Sequence, residues 1–204
     1  MTFLVGLTGG IGSGKTAASN YLTRKGITIV DSDVIAREVV EPGQPTWQAI
    51  CDHFGNNATL PSGALDRAWL RQQVFEKPEE RQWLEQCTHP AIRALTIERL
   101  HNTTSAYAVL ASPLLFESGQ DTLVDRTLVI DVSENLQLQR ACNRDQNNAE
   151  QIQRIIQSQI SRNKRVERAD DIADNSRDLP FLYQQLDAFH QDYLHLALSN
   201  SDTP

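Results

Sequence analysis

Apolar residues follow two periods along this chain. Short, nearly unbroken apolar runs occur at TFLVGL (2–7), ITIVDSD (27–33), AYAVLASP (106–113) and RTLVIDVS (126–133), and DDIADN (170–175) is a weaker fifth. Runs of this kind suit parallel strands covered on both faces. Helical spacing dominates between them. KTAASNYLTRK (15–25) reads as a helix stopped by Gly26. Near the C-terminus, Leu182, Leu186, Phe189, Tyr193 and Leu196 share one predicted helix face, and SNSDTP reads as a frayed tail. Alternating strands and helices predict an α/β fold with a mostly parallel sheet, whose ligands sit at the carboxyl ends of the strands.

Two regions break the alternation. Residues 43–102 show no convincing strand and read as four short helices: TWQAICDHFG, ALDRAWLRQQVF, PEERQWLEQCTH and PAIRALTIERL. All three tryptophans, Trp47, Trp69 and Trp83, lie there, and a small helical subdomain over the carboxyl edge of the sheet is expected. Residues 140–168 carry Arg140, Arg144, Arg154, Arg162, Lys164, Arg165 and Arg168 against Asp145, Glu150 and Glu167. That local excess of four positive charges reads either as a solvated helix face or as a lid over phosphates. Arg165 is expected to be solvated.

Composition narrows the class. A chain of 204 residues suits one α/β domain, with or without helical insertions. No apolar run approaches a membrane span and no signal peptide precedes the first strand, so no membrane association is expected. Cys51, Cys87 and Cys142 are scattered and form no C-x-x-C, which suits a reduced, cytoplasmic setting. A net charge of −7 argues against general nucleic-acid binding.

The chemistry is concentrated at GLTGGIGSGKT (6–16). Gly9, Gly14, Lys15 and Thr16 fit the phosphate-loop pattern G-x-x-x-x-G-K-[ST], with Gly10, Ile11, Gly12 and Ser13 between. Glycine lets such a loop curl so that its N–H groups face an anion at a helix N-terminus. Lys15 would reach the β- and γ-phosphates, and the Thr16 hydroxyl would ligate Mg²⁺. The loop alone fits a GTPase, a motor-type ATPase or a small-molecule kinase. A guanine-reading N-K-x-D is missing, since the nearest string is NKRV (163–166), and no LSGGQ occurs. Asp131, ending LVID, could imitate a metal-holding Asp. Asp31 and Asp33 would face the same way if their strand continued, and a carboxylate there could accept a proton from an attacking hydroxyl. Asp33 is equally a good N-cap for VIAREVV, and the two roles are compatible.

The strings VGLTGGIGSGKT, VDSDVIAREVV, THPAIR, SPLLFE, VIDVS, RACNRD, IQSQIS and ADDIADN, in that order, resemble the bacterial dephospho-coenzyme A kinase family over nearly the whole chain. The resemblance implies a P-loop kinase-like parallel five-stranded sheet of order 2-3-1-4-5. Residues 1–42, 103–139 and 170–204 would form the nucleotide-binding core, 43–102 a helical acceptor-binding insertion and 140–169 a helical lid. It implies ATP and Mg²⁺ as cofactors, dephospho-coenzyme A as acceptor, and a monomer or weak homo-oligomer. Asp33 would be the base and Thr8 would lie near the acceptor. His89, Arg93, Leu115 and Glu117 would belong to the acceptor pocket, and Arg140 and Asn175 would lie near the nucleotide. Ala173 departs from the usual Val or Ile, a packing change. The runner-up is another small-molecule kinase of this architecture, such as a nucleoside monophosphate kinase.

Overall fold

The computed structural model describes residues 2–145 and 148–201. Five strands form the sheet: β1 (Phe3–Thr8), β2 (Thr28–Asp31), β3 (Tyr107–Ala111), β4 (Arg126–Asp131) and β5 (Asp171–Asp174). Their order is β2-β3-β1-β4-β5 and all run parallel, as expected. The register sets Val5 beside Val109 and Leu7 beside Leu128, and Ile130 beside Ala173. Every residue of β3 is buried, which explains its unbroken apolar run.

The helices among the described residues are α1 (Lys15–Arg24), α2 (Ser32–Glu38), α3 (Pro45–Phe54), α4 (Arg67–Glu76), α5 (Pro78–His101), α6 (Glu134–Asp145), α7 (Ala149–Ser158), α8 (Arg162–Glu167) and α9 (Leu179–Ser201). The chain divides into two compact units. One comprises the residues up to Val30 together with those from Leu100 onward, and the other is Asp31–Arg99.

In the first unit, α1 and α9 cover one face of the sheet. Leu22, Leu182, Leu186 and Tyr193 are buried against Val5, Leu7 and Val109. The expected face of α9 is shifted at its end, because Leu196 is 37% exposed and Ala197 takes the core position. At 100° per residue, Ala197 continues the line of Leu182, Leu186 and His190, and Leu196 falls on the solvent side. The tail also keeps helical form through Ser201, while residues 202–204 lie outside those described. Tyr193 donates its hydroxyl to Asp171 at 2.8 Å, and Arg126 clamps the same carboxylate, tying β4, β5 and α9 together.

Residues Asp31–Arg99 are helical, with one isolated bridge between Thr59 and Leu65. The last two of the four predicted helices are fused, since α5 runs through Pro90. An internal proline costs one backbone hydrogen bond and usually breaks a helix. Here local bonds from Thr88 to Leu84 and from Thr96 to Ile92 accompany the continuous turns on either side. The three tryptophans are half-buried. Phe54 meets Trp69 and Trp83 edge-on, and His53 stacks on Trp83 while sharing a 2.6 Å hydrogen bond with Glu80. All three cysteines are free.

Candidate active site

The glycine-rich segment turns sharply at the end of β1. Thr8, the last strand residue, is buried, and Ser13 N–H donates to the Gly10 carbonyl at 3.0 Å. Gly14 has φ of 102° and serves as the N-cap of α1, which no side chain caps. No side chain occupies the positive end of the helix, and such an end suits an anion. Lys15 and Thr16 are the first two residues of α1. The loop also has to be glycine for steric reasons. A Cβ at Gly14 would stand 2.2 Å from the Asn175 side-chain nitrogen, and one at Gly12 would stand 2.5 Å from the Gln137 carbonyl oxygen.

Those two neighbours hold the loop. Asn175 follows β5, is buried, and donates its side-chain amide to the Ser13 carbonyl at 2.7 Å. Its own N–H is bonded to the Asp131 carbonyl at 2.9 Å, and its carbonyl accepts from Arg140 at 2.9 Å. Three of the predicted residues, Ser13, Asn175 and Arg140, thus form one chain of contacts from loop to α6. Gln137, also on α6, is buried beside Gly10 and donates to the Val132 carbonyl at 3.2 Å. Gln159 accepts from the Ile11 N–H at 3.1 Å. Neither glutamine was singled out from the sequence. IQSQIS carried the only signal for Gln159, and a glutamine in a charged helix carries none for Gln137.

The basic run is mostly paired. Arg162 makes a two-pronged contact with Asp131, at 2.9 and 2.6 Å, so the Asp131 carboxylate is committed to a guanidinium. This charge-assisted contact raises the Arg162 pKa further. Arg165 corrects the sequence reading. It is buried, donates to the Ile160 carbonyl at 2.8 Å, and burial lowers its pKa. The physical reason is tertiary: α8 packs against β4, and the helical spacing of so short a helix cannot show which side turns inward. Glu117 accepts from the Ile160 N–H at 2.8 Å. Leu115 is fully buried, its methyls over Gly6.

Asp33, His89 and Arg93 belong to the second unit. The strand ends at Asp31, so Asp31 and Asp33 do not sit on one strand face. Asp31, not Asp33, is the N-cap of α2, accepting from Asp33 N–H at 2.8 Å and Val34 N–H at 3.3 Å. Asp33 is exposed in the first helical turn. His89 and Arg93 are exposed on one face of α5, four residues apart. A concave cavity of about 410 Å³ lies within this unit, with Ile50, Leu70 and Val74 on its apolar wall and Arg67, Arg71 and Arg81 among its polar residues.

A phosphate loop at the carboxyl end of the central strand, in a parallel sheet ordered 2-3-1-4-5, defines a P-loop kinase. The dephospho-CoA kinase family model matches residues 3–180, and the chain belongs to that family. It is 50% identical to the dephospho-CoA kinase of Shewanella oneidensis over 96% of this chain and 95% of that one. The corresponding Acinetobacter baylyi enzyme is also 50% identical, over 95% and 99% of the two chains. Among solved structures, a Thermus thermophilus protein superposes with a TM-score of 0.83 at 27% identity, covering 94% of this chain and 97% of that one. Dephospho-CoA kinase from Campylobacter jejuni gives 0.73 at 26% identity, covering 98% and 100%. The chain is accordingly a kinase that phosphorylates dephospho-CoA, the last step of CoA biosynthesis. No helix among the described residues is long and apolar enough to cross a membrane.

Proposed function

We propose that the chain transfers the γ-phosphoryl group of ATP to the ribose 3′-hydroxyl of dephospho-CoA. The observation that supports the donor half most directly is the uncapped N-terminus of α1 behind the Gly14 turn. Gly9, Gly10, Ile11, Gly12, Ser13, Gly14 and Lys15 are assigned to the triphosphate, with Arg140 and Asn175 beside it. Mg²⁺ fits this donor set, because it commonly takes one or two protein oxygens and completes its shell with phosphates and water. The Thr16 hydroxyl, on the second residue of α1, is the proposed protein ligand, as the phosphate-loop pattern requires. The ion would supply charge neutralisation to the phosphates.

Residues 43–102 are assigned to the acceptor and 140–169 to a lid. Within the acceptor site, Thr8, His89, Arg93, Leu115 and Glu117 are the proposed contributors, Leu115 by packing. Asp33 is the proposed base, receiving the hydroxyl proton as the oxygen attacks in line. Arg140 would stabilise charge on the transferring group. Phosphoryl transfer of this kind depends mainly on positioning and charge stabilisation. A monomer or weak homo-oligomer in the cytoplasm, with no nucleic-acid partner, completes the reading.

Coupled ADP release with dephospho-CoA, the nucleoside monophosphates and shikimate as competing acceptors tests it. Turnover restricted to dephospho-CoA and lost in Lys15→Ala is expected. Equal turnover of a nucleoside monophosphate would overturn the acceptor assignment.

A further inference from the structure

We propose that Ile11 and Gln159 form a tether between the phosphate loop and α6–α7, and that Gln159 is a positioning residue for ATP. Two contacts of different kind meet at one loop residue. The Ile11 N–H, in the middle of the loop, is bonded to Oε1 of Gln159 at 3.1 Å. The Ile11 side chain packs into a small apolar core that is separate from the main one. That core consists of Ala141 on α6 and Ile152 and Ile156 on α7, with Leu138, Cys142 and Ile155 against it. Gln159 itself is the C-cap of α7, and its own N–H bonds back to the carbonyls of Ile155 and Ile156. The end of α7 is therefore fixed to the same turn that buries the Ile11 side chain.

The arrangement has a mechanical consequence. A phosphate loop works by presenting several N–H groups in a fixed array, and a loop of this composition has little side-chain packing to hold it. Ile11 is its single large apolar side chain. Anchoring that residue by both N–H and side chain fixes the curvature of the loop from Gly10 to Gly12. It also makes the position of α7 depend on the loop, so a nucleotide that orders one orders the other. The proposal rests on the loop being the ATP site.

Steady-state kinetics of Gln159→Met, which keeps length and removes the acceptor oxygen, tests this. One neutral hydrogen bond contributes about 0.5–1.5 kcal/mol, so the KM for ATP is expected to rise roughly two- to twelvefold. The KM for dephospho-CoA is expected to stay within about twofold of the unsubstituted enzyme, because the Gln159 side chain bonds the loop, while Glu117 takes its bond from the backbone N–H of Ile160, which the substitution leaves in place. Ile11→Ala should raise the ATP KM as well, and the double variant should be no worse than the weaker single one, since either loss releases the same loop. A fall in melting temperature with the ATP KM raised less than about twofold would mean packing alone and overturn the proposal. Additive effects of the two substitutions would overturn the tether. If the unsubstituted enzyme shows no ATP-dependent phosphorylation, the reading of the loop itself fails, which is a separate result.

Discussion

The side-chain amide of Asn175 donates to the Ser13 carbonyl at 2.7 Å, across 162 positions of sequence. This bond ties the turn after β5 to the phosphate loop. It also explains Gly14, whose missing Cβ leaves the space that the amide nitrogen fills. Asn175→Ala would leave a buried carbonyl without its partner, a cost of about 1–3 kcal/mol. Denaturant unfolding is expected to show a loss of that size, and the KM for ATP should rise because the loop is no longer pinned at Ser13. A variant with unchanged stability and unchanged ATP KM would show that the bond is dispensable.

Asp31 and Asp33 separate cap from base. Asp31→Ala removes an N-cap and is expected to cost roughly 0.5–2 kcal/mol of stability. Asp33→Asn leaves that cap in place, and its melting temperature should hardly move. As the proposed general base, Asp33 should nevertheless contribute about 10²–10⁴ in rate. Differential scanning fluorimetry paired with turnover measurements distinguishes the two. Full activity in Asp33→Asn would remove it from the mechanism.

Arg140 and Arg165 lie in one basic run but in different surroundings. Arg165→Ala removes a buried side chain and its bond to Ile160, and should destabilise by roughly 1–3 kcal/mol with kcat per folded molecule little changed. Arg140→Ala should show the opposite balance, with turnover falling further than ATP affinity. Hydrogen exchange across 148–168 is expected to slow when an unreactive ATP analogue binds. Equal kinetic losses in the two variants would argue against a separate role for Arg140.

His190 gives the fold a pH dependence. Its Nδ1 lies 2.9 Å from the Tyr107 hydroxyl, and burial, with the Lys25 charge second, lowers its pKa from 6.5. Asp187 acts in the opposite sense without reversing the shift. Between the lowered folded value and 6.5 the unfolded chain binds the extra proton. The contribution from His190 is therefore complete above about pH 6.5 and is lost as pH falls towards the folded value. His190→Gln should flatten the fall in melting temperature between pH 7 and 5. An unaltered pH profile would assign the dependence to other groups.

The strands and the phosphate loop were legible in the sequence because both are written in local pattern. Val5, Leu7, Val109 and Leu128 sit in unbroken apolar runs that only a sheet covered on both faces can bury. The spacing from Gly9 to Thr16 is a backbone requirement of the loop, so it survives as a string. Sheet order and the acceptor chemistry came through resemblance, since periodicity has no means of saying which strands are neighbours.

Other features were settled only by contacts between distant segments. Whether Asp31 or Asp33 caps α2 depends on where β2 stops, a matter of two residues that propensity does not resolve. Pro90 predicts a break that the continuous α5 does not have. Arg165, Gln137 and Gln159 are polar residues on polar helices, and nothing in their own neighbourhood marks them as buried or loop-bound. Their roles arise from what β4 and the Gly10–Gly14 turn present to them, which is a property of the assembled chain. Local order is fixed by short-range sterics and hydrophobic period. The burial of a polar side chain is fixed by its distant partner, and tertiary structure alone brings that partner near.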